Sequence, residues 1–113
     1  MQWSSETEFE SYTIYLGDES GTIFELDRRN PNKLAGRAAA FDQGIHKIVA
    51  KDDKIAVLGK TNTVKVYIRE KNDFQQIYEN CDAKNFLRDI LWTNSNEFYA
   101  VGWDRHIKKH VVN

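Results

Sequence analysis

The sequence predicts an all-β fold of repeated antiparallel strands, a β-propeller, on two observations. Gly17, Gly59 and Gly102 are separated by 42 and 43 residues, and each ends an apolar run that is followed by a short polar turn. A repeat of about 40–45 residues is typical of propeller blades. β-branched and aromatic residues flank each turn, which is the pattern of a β-hairpin. Helical periodicity of any length is absent.

Each repeat is predicted to be a four-stranded meander with strands a, b, c and d from the inside to the outside. The hairpins, formed by strands b and c, join residues 12–17 to 22–27, 54–59 to 63–67, and 97–102 to 106–112. The b strands are nearly continuously apolar, as expected of strands that are buried between neighbouring blades. Inner strands a are predicted over 45–50 and 86–92, and outer strands d near 34–39 and 73–78.

These elements amount to about two and a half blades in one propeller domain. We expect a partial blade over residues 1–41 with most of strand a missing, a complete blade over 42–82, and a last blade over 83–113 that lacks strand d. Closed propellers typically need about four to eight blades. The sequence therefore predicts the C-terminal fragment of a larger ring.

Composition limits the classes of function. The chain has 113 residues and a net charge of −1, so no bulk charge favours nucleic acid or a membrane surface. Cys81 is the only cysteine, which rules out an internal disulfide and fits a reducing compartment. We expect an intracellular, soluble protein that has neither a catalytic site nor a cofactor.

The turns and c strands resemble WD40 repeats. Thr63–Tyr67 follows the pattern Thr-Ile-Lys-Val-Trp with Tyr at the Trp position, and Asp104 lies at the position of the turn Asp. The resemblance implies that this Asp bonds a Gly-His pair, a Ser or Thr, and the Trp. Here the Gly-His pair is missing, Leu26 and His110 replace the Trp, and Thr61 replaces the Asp. We therefore expect this polar network to be incomplete.

A more specific resemblance covers essentially the whole chain and is strongest at its end. The matching segments are Phe86-Leu87-Arg88-Asp89, Trp92-Thr93, Val101-Gly102-Trp103-Asp104 and His110-Val111-Val112, together with the turn Gly17–Thr22. They are similar to the methylosome protein 50 family. The resemblance implies a seven-bladed, non-catalytic partner of the type II protein arginine methyltransferase, found in cytoplasm and nucleus. It also implies that the propeller presents Arg/Gly-rich substrates, such as Sm proteins and histones, for symmetric dimethylation.

In that family the enzyme binds chiefly to early blades, which this chain lacks, so the resemblance implies the complex without placing its interface here. The expected partners are the methyltransferase, its Arg/Gly-rich substrates and the remaining blades of the propeller, without nucleic acid or membrane. Two alternatives stay open: a generic WD40 interaction scaffold of another complex, or a self-assembling structural repeat.

Few residues suggest a binding site. Trp103 is predicted at the tip of a turn, where an indole has little core to join, and is a candidate protein contact. Asp18 and Glu19 form an acidic turn that is either simply solvated or attracts an arginine-rich peptide. Trp92 is expected to pack between blades, with Trp3 as its equivalent.

The remaining singled-out residues have structural interpretations. Gly17, Gly21, Gly59, Gly102 and Asp104 are predicted to shape the repeat turns, with Gly21 at positive φ. His106 and His110 would lie about 13 Å apart on a strand, too far to share a metal ion. The sequence therefore predicts no metal site.

Overall fold

Three antiparallel sheets make up the fold. The computed structural model describes residues 3–9, 13–30, 34–70 and 73–112, and all of their regular structure is β-strand. Within these ranges, no helix is long and apolar enough to span a membrane.

Each sheet is a meander of strands that follow one another in the chain. The first contains β1 (Trp3–Phe9), β2 (Thr13–Asp18), β3 (Thr22–Asp27) and β4 (Leu34–Ala39). The second contains β5 (Ile45–Lys51), β6 (Lys54–Gly59), β7 (Val64–Glu70) and β8 (Asp73–Asn80). The third contains β9 (Leu87–Asn94), β10 (Glu97–Gly102) and β11 (Ile107–Val111). The predicted hairpins are confirmed, and β11 has no outer partner among the described residues.

The same backbone register recurs in all three sheets. Each a strand opens with a bulge, and its first residue pairs with the last residue of the b strand: Trp3 with Asp18, Ile45 with Gly59, and Leu87 with Gly102. Gly59 and Gly102 therefore end their b strands as predicted. In the first sheet the equivalent position is Asp18, and Gly17 lies one residue earlier.

The first sheet corrects the expectation that most of its strand a is missing. β1 has 7 residues and pairs with β2 along its length. Trp3 is not the equivalent of Trp92 either, because Trp3 starts its strand opposite Asp18 whereas Trp92 pairs with Phe98. Residues Ser4–Glu8 are all polar. The sequence therefore shows no alternation of apolar and polar residues that would indicate this strand, although its backbone pairs with β2. The blade boundaries themselves stay a prediction.

The second sheet is buried on both faces. Ile55 and Val57 pack in one cluster with residues of the first sheet, while Ala56 and Leu58 pack in another with residues of the third. All four side chains are 0% exposed. A strand with both faces covered has no polar side, which explains the continuous apolar run that the sequence shows.

Polar contacts also join neighbouring sheets within this packing. The indole Nε1 of Trp92 donates a hydrogen bond to the carbonyl of Val49 at 2.9 Å, which confirms that Trp92 packs between blades. Arg69 binds Glu25 bidentately, with Nε–Oε1 at 2.6 Å and Nη2–Oε2 at 2.8 Å. Because both side chains are only 12–13% exposed, this pair ties the first sheet to the second in a largely dry setting.

The third sheet leaves one face open. Leu91, Ile107 and Val111 on this face are 67%, 74% and 50% exposed. The residues equivalent to Ile107 in the other sheets, Ile23 and Val64, are 0% exposed because the next sheet stacks on them. We call the side of the third sheet that carries Leu91, Ile107 and Val111 the open face.

We expect Gly21→Ala to destabilise the fold. Gly21 has φ of +87°, and an added Cβ would overlap the carbonyl oxygens of Phe41 and Gln43. A residue with a side chain at such a backbone angle costs about 1–3 kcal/mol before the overlap is counted. Urea unfolding should show a loss of at least that size.

Gly36→Ala is the matched control for Gly21→Ala. Its added Cβ would first meet Nη2 of Arg69, at 3.1 Å, so the end of one side chain instead of backbone would have to shift. A loss at Gly21 no larger than the loss at Gly36 would contradict the proposed backbone constraint.

Candidate functional site

One rim of the molecule carries the candidate site. This turn rim consists of the b–c turns, over residues 18–22, 59–63 and 102–106, and the d–a connections, over 40–44 and 81–86. Backbone hydrogen bonds join the two kinds of segment: the amide of Lys60 donates to Gly44 at 3.1 Å, and that of Trp103 donates to Phe86 at 2.9 Å. An added Cβ on Gly102 would lie only 2.5 Å from the oxygen of Phe86. The close approach of the two segments thus requires glycine there.

The three turns cap the same backbone amide with different side chains. The acceptors are Asp18 Oδ1 for the amide of Thr22 at 3.2 Å, Thr61 Oγ1 for Thr63 at 3.0 Å, and Asp104 Oδ1 for His106 at 3.0 Å. The residue before the capped amide has positive φ in the first and third turns, at Gly21 and Arg105. The capped amide therefore recurs in all three turns, and the positive φ before it in two of them, although their sequences have diverged.

Asp104 acts as a brace between two rim segments. Besides the amide of His106, its carboxylate accepts a hydrogen bond from the amide of Lys84 at 3.2 Å, across the d–a connection. These two backbone hydrogen bonds hold the pKa of Asp104 below its usual value. At the position of the WD40 Trp, His110 instead pairs through Nδ1 with the Tyr78 hydroxyl at 2.7 Å. Asp104 thus joins its own turn to the d–a connection.

Asp18 corrects the expectation of a carboxylate solvated at the rim. It is 6% exposed, and its Oδ1 accepts hydrogen bonds from the Ser20 amide, the Ser20 hydroxyl and the Thr22 amide. Burial by itself would raise the pKa of Asp18, but these three donors outweigh it and lower that pKa. Oδ1 of Asp18 is thus engaged inside the turn, and a contact of Asp18 with a partner protein stays a prediction.

Glu19 lies at the surface beside an opposite charge. Its Oε2 is 2.9 Å from Nζ of Lys60, and the two side chains are 44% and 52% exposed. An exposed pair of this kind contributes about 0–1 kcal/mol to stability. That Glu19 contacts a protein stays a prediction.

Trp103 is exposed at the tip of its turn and has two neighbours that the sequence did not reveal. Its side chain is 58% exposed, and its ring lies 6.2 Å from that of Phe86, which is 48% exposed. The guanidinium of Arg88 stacks over the Trp103 ring at 5.4 Å. The sequence predicts that the inner strand includes Phe86, but that strand begins at Leu87.

The two histidines of the last repeat have separate environments. His106 is exposed and precedes β11, whereas His110 is 3% exposed and stacks on Phe98 at 4.8 Å. Burial, and then the nearby charge of Lys108, lower the pKa of His110 to about 4. The residues that the structure describes hold no cluster of three or more metal-ligating side chains. The lone thiol of Cys81 is exposed in a d–a connection.

Three surface grooves repeat from sheet to sheet. Their volumes are about 500, 480 and 330 Å³. Equivalent positions of the b–c turns and c strands line them: Ser20, Thr22 and Phe24 in the first, Thr61, Thr63 and Lys65 in the second, and Asp104, His106 and Lys108 in the third. Because each groove follows from the repeat itself, none of the three is a specialised pocket.

Solved structures show what the stacked sheets are. The chain is similar to the β-propeller domain of Cps50 (Swd1) from Myceliophteria thermophila, with a TM-score of 0.80 and 10% identity over 98% of this chain and 42% of that one. It is also similar to the computationally designed Ika8 protein, with a TM-score of 0.80 and 18% identity over 95% of this chain and 32% of that one. No family model and no curated protein matches the sequence. The fold is therefore a partial β-propeller, and the chain spans roughly a third to two fifths of these structures.

We expect Asp104→Ala to destabilise the turn rim by about 1–2 kcal/mol, because it leaves two backbone amides without their acceptor. Urea unfolding measures the loss. Asp53→Ala is the control, since the Asp53 side chain is 70% exposed on the opposite rim and should change stability by less than about 0.5 kcal/mol. Equal losses in both variants would contradict the bracing role of Asp104.

We expect stability to fall as pH drops from 6.5 to about 4, because His110 is neutral in the fold at a pH where the unfolded chain binds a proton. The free energy of unfolding keeps its full value above the pKa of this histidine in the unfolded chain. It falls by up to about 3 kcal/mol as the pH approaches the pKa of His110 in the fold. His110→Phe should flatten this part of the stability curve. A slope that survives in His110→Phe would contradict this origin.

Proposed function

We propose that this chain is part of a propeller scaffold that binds other proteins through its turn rim. The supporting observation is the exposed pair of Trp103 and Phe86 on a rim whose backbone is held by hydrogen bonds. Large exposed aromatic residues on a rigid support are typical of protein contacts. The polar groups of the turns favour a structural over a catalytic role, because Asp18, Thr61 and Asp104 are engaged in capping amides.

More specifically, we propose an adaptor of the methylosome. The support is the resemblance to the methylosome protein 50 family described above. Part of it lies in packing, because Leu87, Trp92, His110 and Val112 are buried between sheets. The other part, with Arg88 and Trp103, lies at the exposed rim. Only the exposed part can contact a partner protein and select it, because packing within the fold already explains the buried residues.

The proposed mechanism is positional. A rigid propeller that binds both the methyltransferase and an Arg/Gly-rich substrate raises the effective concentration of one near the other. The open face supports a further blade of the same propeller as a neighbour, since equivalent faces of the other two sheets are covered in that way. Catalysis would rest with the methyltransferase, and this chain would need no cofactor.

Two other functions fit individual observations. A scaffold of a different complex would use the same rim with another partner. A self-assembling repeat would cover the open face with a second copy of the chain, because Leu91, Ile107 and Val111 are exposed apolar side chains that a head-to-tail contact would bury.

Co-purification tests the adaptor proposal. The full-length protein and the type II protein arginine methyltransferase, mixed at micromolar concentrations, are expected to elute together from a sizing column. Separate elution would sink the adaptor proposal and leave the general scaffold. Light scattering on the protein alone separates the third possibility, since a defined symmetric oligomer without any partner would favour self-assembly.

A further inference from the structure

We propose that the turn rim of the third sheet binds an acidic peptide segment that carries a large apolar side chain. The surface is a patch of two aromatic and three cationic residues, the aromatic rim patch: Phe86, Trp103, Lys84, Arg88 and Arg105. The proposal goes beyond the scaffold function because it names a class of partner. It does not depend on the methyltransferase assignment, whose Arg/Gly-rich substrates carry the opposite charge.

The exposure of Trp103 does not arise from the open face. Its equivalents in the first and second turns are Glu19 and Lys60, whose side chains are 44% and 52% exposed. A following sheet stacks on each of those sheets, and the side chains at this turn position still reach solvent. A blade placed on the open face would therefore cover Leu91 and Ile107 while Trp103 stayed accessible.

The patch is positively charged because its cations are unneutralised. Lys84, Arg88 and Arg105 are exposed, and none of them forms an ion pair within the described part of the chain. The adjoining acids are committed to other groups. Asp89 lies 3.0 Å from Nζ of Lys47, and Asp82 lies 2.9 Å from Nζ of Lys108. The carboxylate of Asp104 accepts hydrogen bonds from two backbone amides.

The geometry suits a carboxylate next to an apolar anchor. Arg88 lies over one face of the Trp103 ring, which orients its planar guanidinium beside the indole. A carboxylate can accept two parallel hydrogen bonds from such a guanidinium, while the neighbouring apolar side chain packs on Trp103 and Phe86. Tryptophan and arginine together are the residues that most often dominate binding energy in protein interfaces.

An acidic peptide fits this rim better than a nucleic acid does. Bases can also stack on aromatic rings, but nucleic-acid binding needs a basic track that follows several phosphates. Away from the patch, the same rim carries the exposed acids Glu19, in the turn of the first sheet, and Asp42, in the connection that follows that sheet. A phosphate backbone that left the patch along the rim would meet these charges, whereas a short peptide would not reach them.

Fluorescence anisotropy on the full-length protein tests the proposal with three labelled probes. These are a short peptide of Asp and Glu with one central Phe, the same peptide with Lys in place of the acids, and an oligouridine RNA. We expect the acidic peptide to bind most tightly and its affinity to fall with added salt. Equal or tighter binding of the basic peptide would overturn the proposal, and tighter binding of the RNA would replace it with nucleic-acid recognition.

Variants locate the binding on the patch. Trp103→Ala and Arg105→Glu are each expected to weaken the acidic peptide about tenfold or more. Lys51→Glu reverses the charge, as Arg105→Glu does, but at an exposed lysine of the opposite rim. Ile107→Ala truncates an apolar side chain of the open face. Both controls should bind like the parent protein. Unchanged binding by Trp103→Ala, or an equal loss in Lys51→Glu, would refute the placement.

A folding control keeps the variant result interpretable. Thermal unfolding followed by circular dichroism should give each variant the midpoint of the parent, since all four substituted side chains are exposed. Trp103→Phe keeps an aromatic ring and should retain more affinity than Trp103→Ala. If Phe and Ala bind equally weakly, the apolar anchor is wrong. Methyltransferase co-purification with the same variants is a separate measurement, so a failure of one proposal leaves the other standing.

Discussion

The burial of the second sheet between its neighbours is the interaction on which the rest of the structure depends. Four successive side chains of its b strand, Ile55 to Leu58, are completely buried, two toward each neighbouring sheet. A two-stranded ribbon with one such apolar face would be only marginally stable in water. Stacking against a neighbouring sheet buries that face in a hydrophobic core. Removing either neighbour would expose one face of β6.

The same stacking determines the geometry of the turn rim. Because the sheets share one register, their b–c turns come to the same level and their d–a connections cross beside them. The capped amide recurs at one position, although its acceptor changes from Asp18 to Thr61 to Asp104. The turn geometry is thus held by the repeat, and the residues that do not cap are free to differ. This freedom explains how Glu19, Lys60 and Trp103 occupy one structural position with three chemistries.

Much of the fold could be predicted because its strands are strongly patterned. The outer strand was predicted near 34–39 and is found at Leu34–Ala39, and all three hairpins lie where their turn residues placed them. The sequence does not predict β1 in full, because its residues Ser4–Glu8 are polar and carry no periodic signal. Only the pairing of its backbone with β2 defines this strand. The sequence also does not show that Asp18, one residue after Gly17, takes the position that Gly59 and Gly102 hold in their sheets. Register depends on how two strands pair, so one strand alone does not reveal it.

The candidate site was predicted only in part. Trp103 was located from its turn, but Phe86 and Arg88 belong to a different segment and meet it through the d–a connection. Asp18 looked like a surface acid because a sequence shows the charge of a side chain and not the donors that surround it. Its three hydrogen bonds become visible only when Ser20 and Thr22 close the turn.

The sequence by itself determined the repeat, the hairpins and the all-β class, because these follow from local alternation and turn chemistry along one stretch of chain. Tertiary structure alone decided which faces are covered, where each strand starts against its partner, and which side chains meet at the rim. Those features depend on distances between residues far apart in the chain. They are settled when the second sheet is enclosed and the turns are brought to a common level.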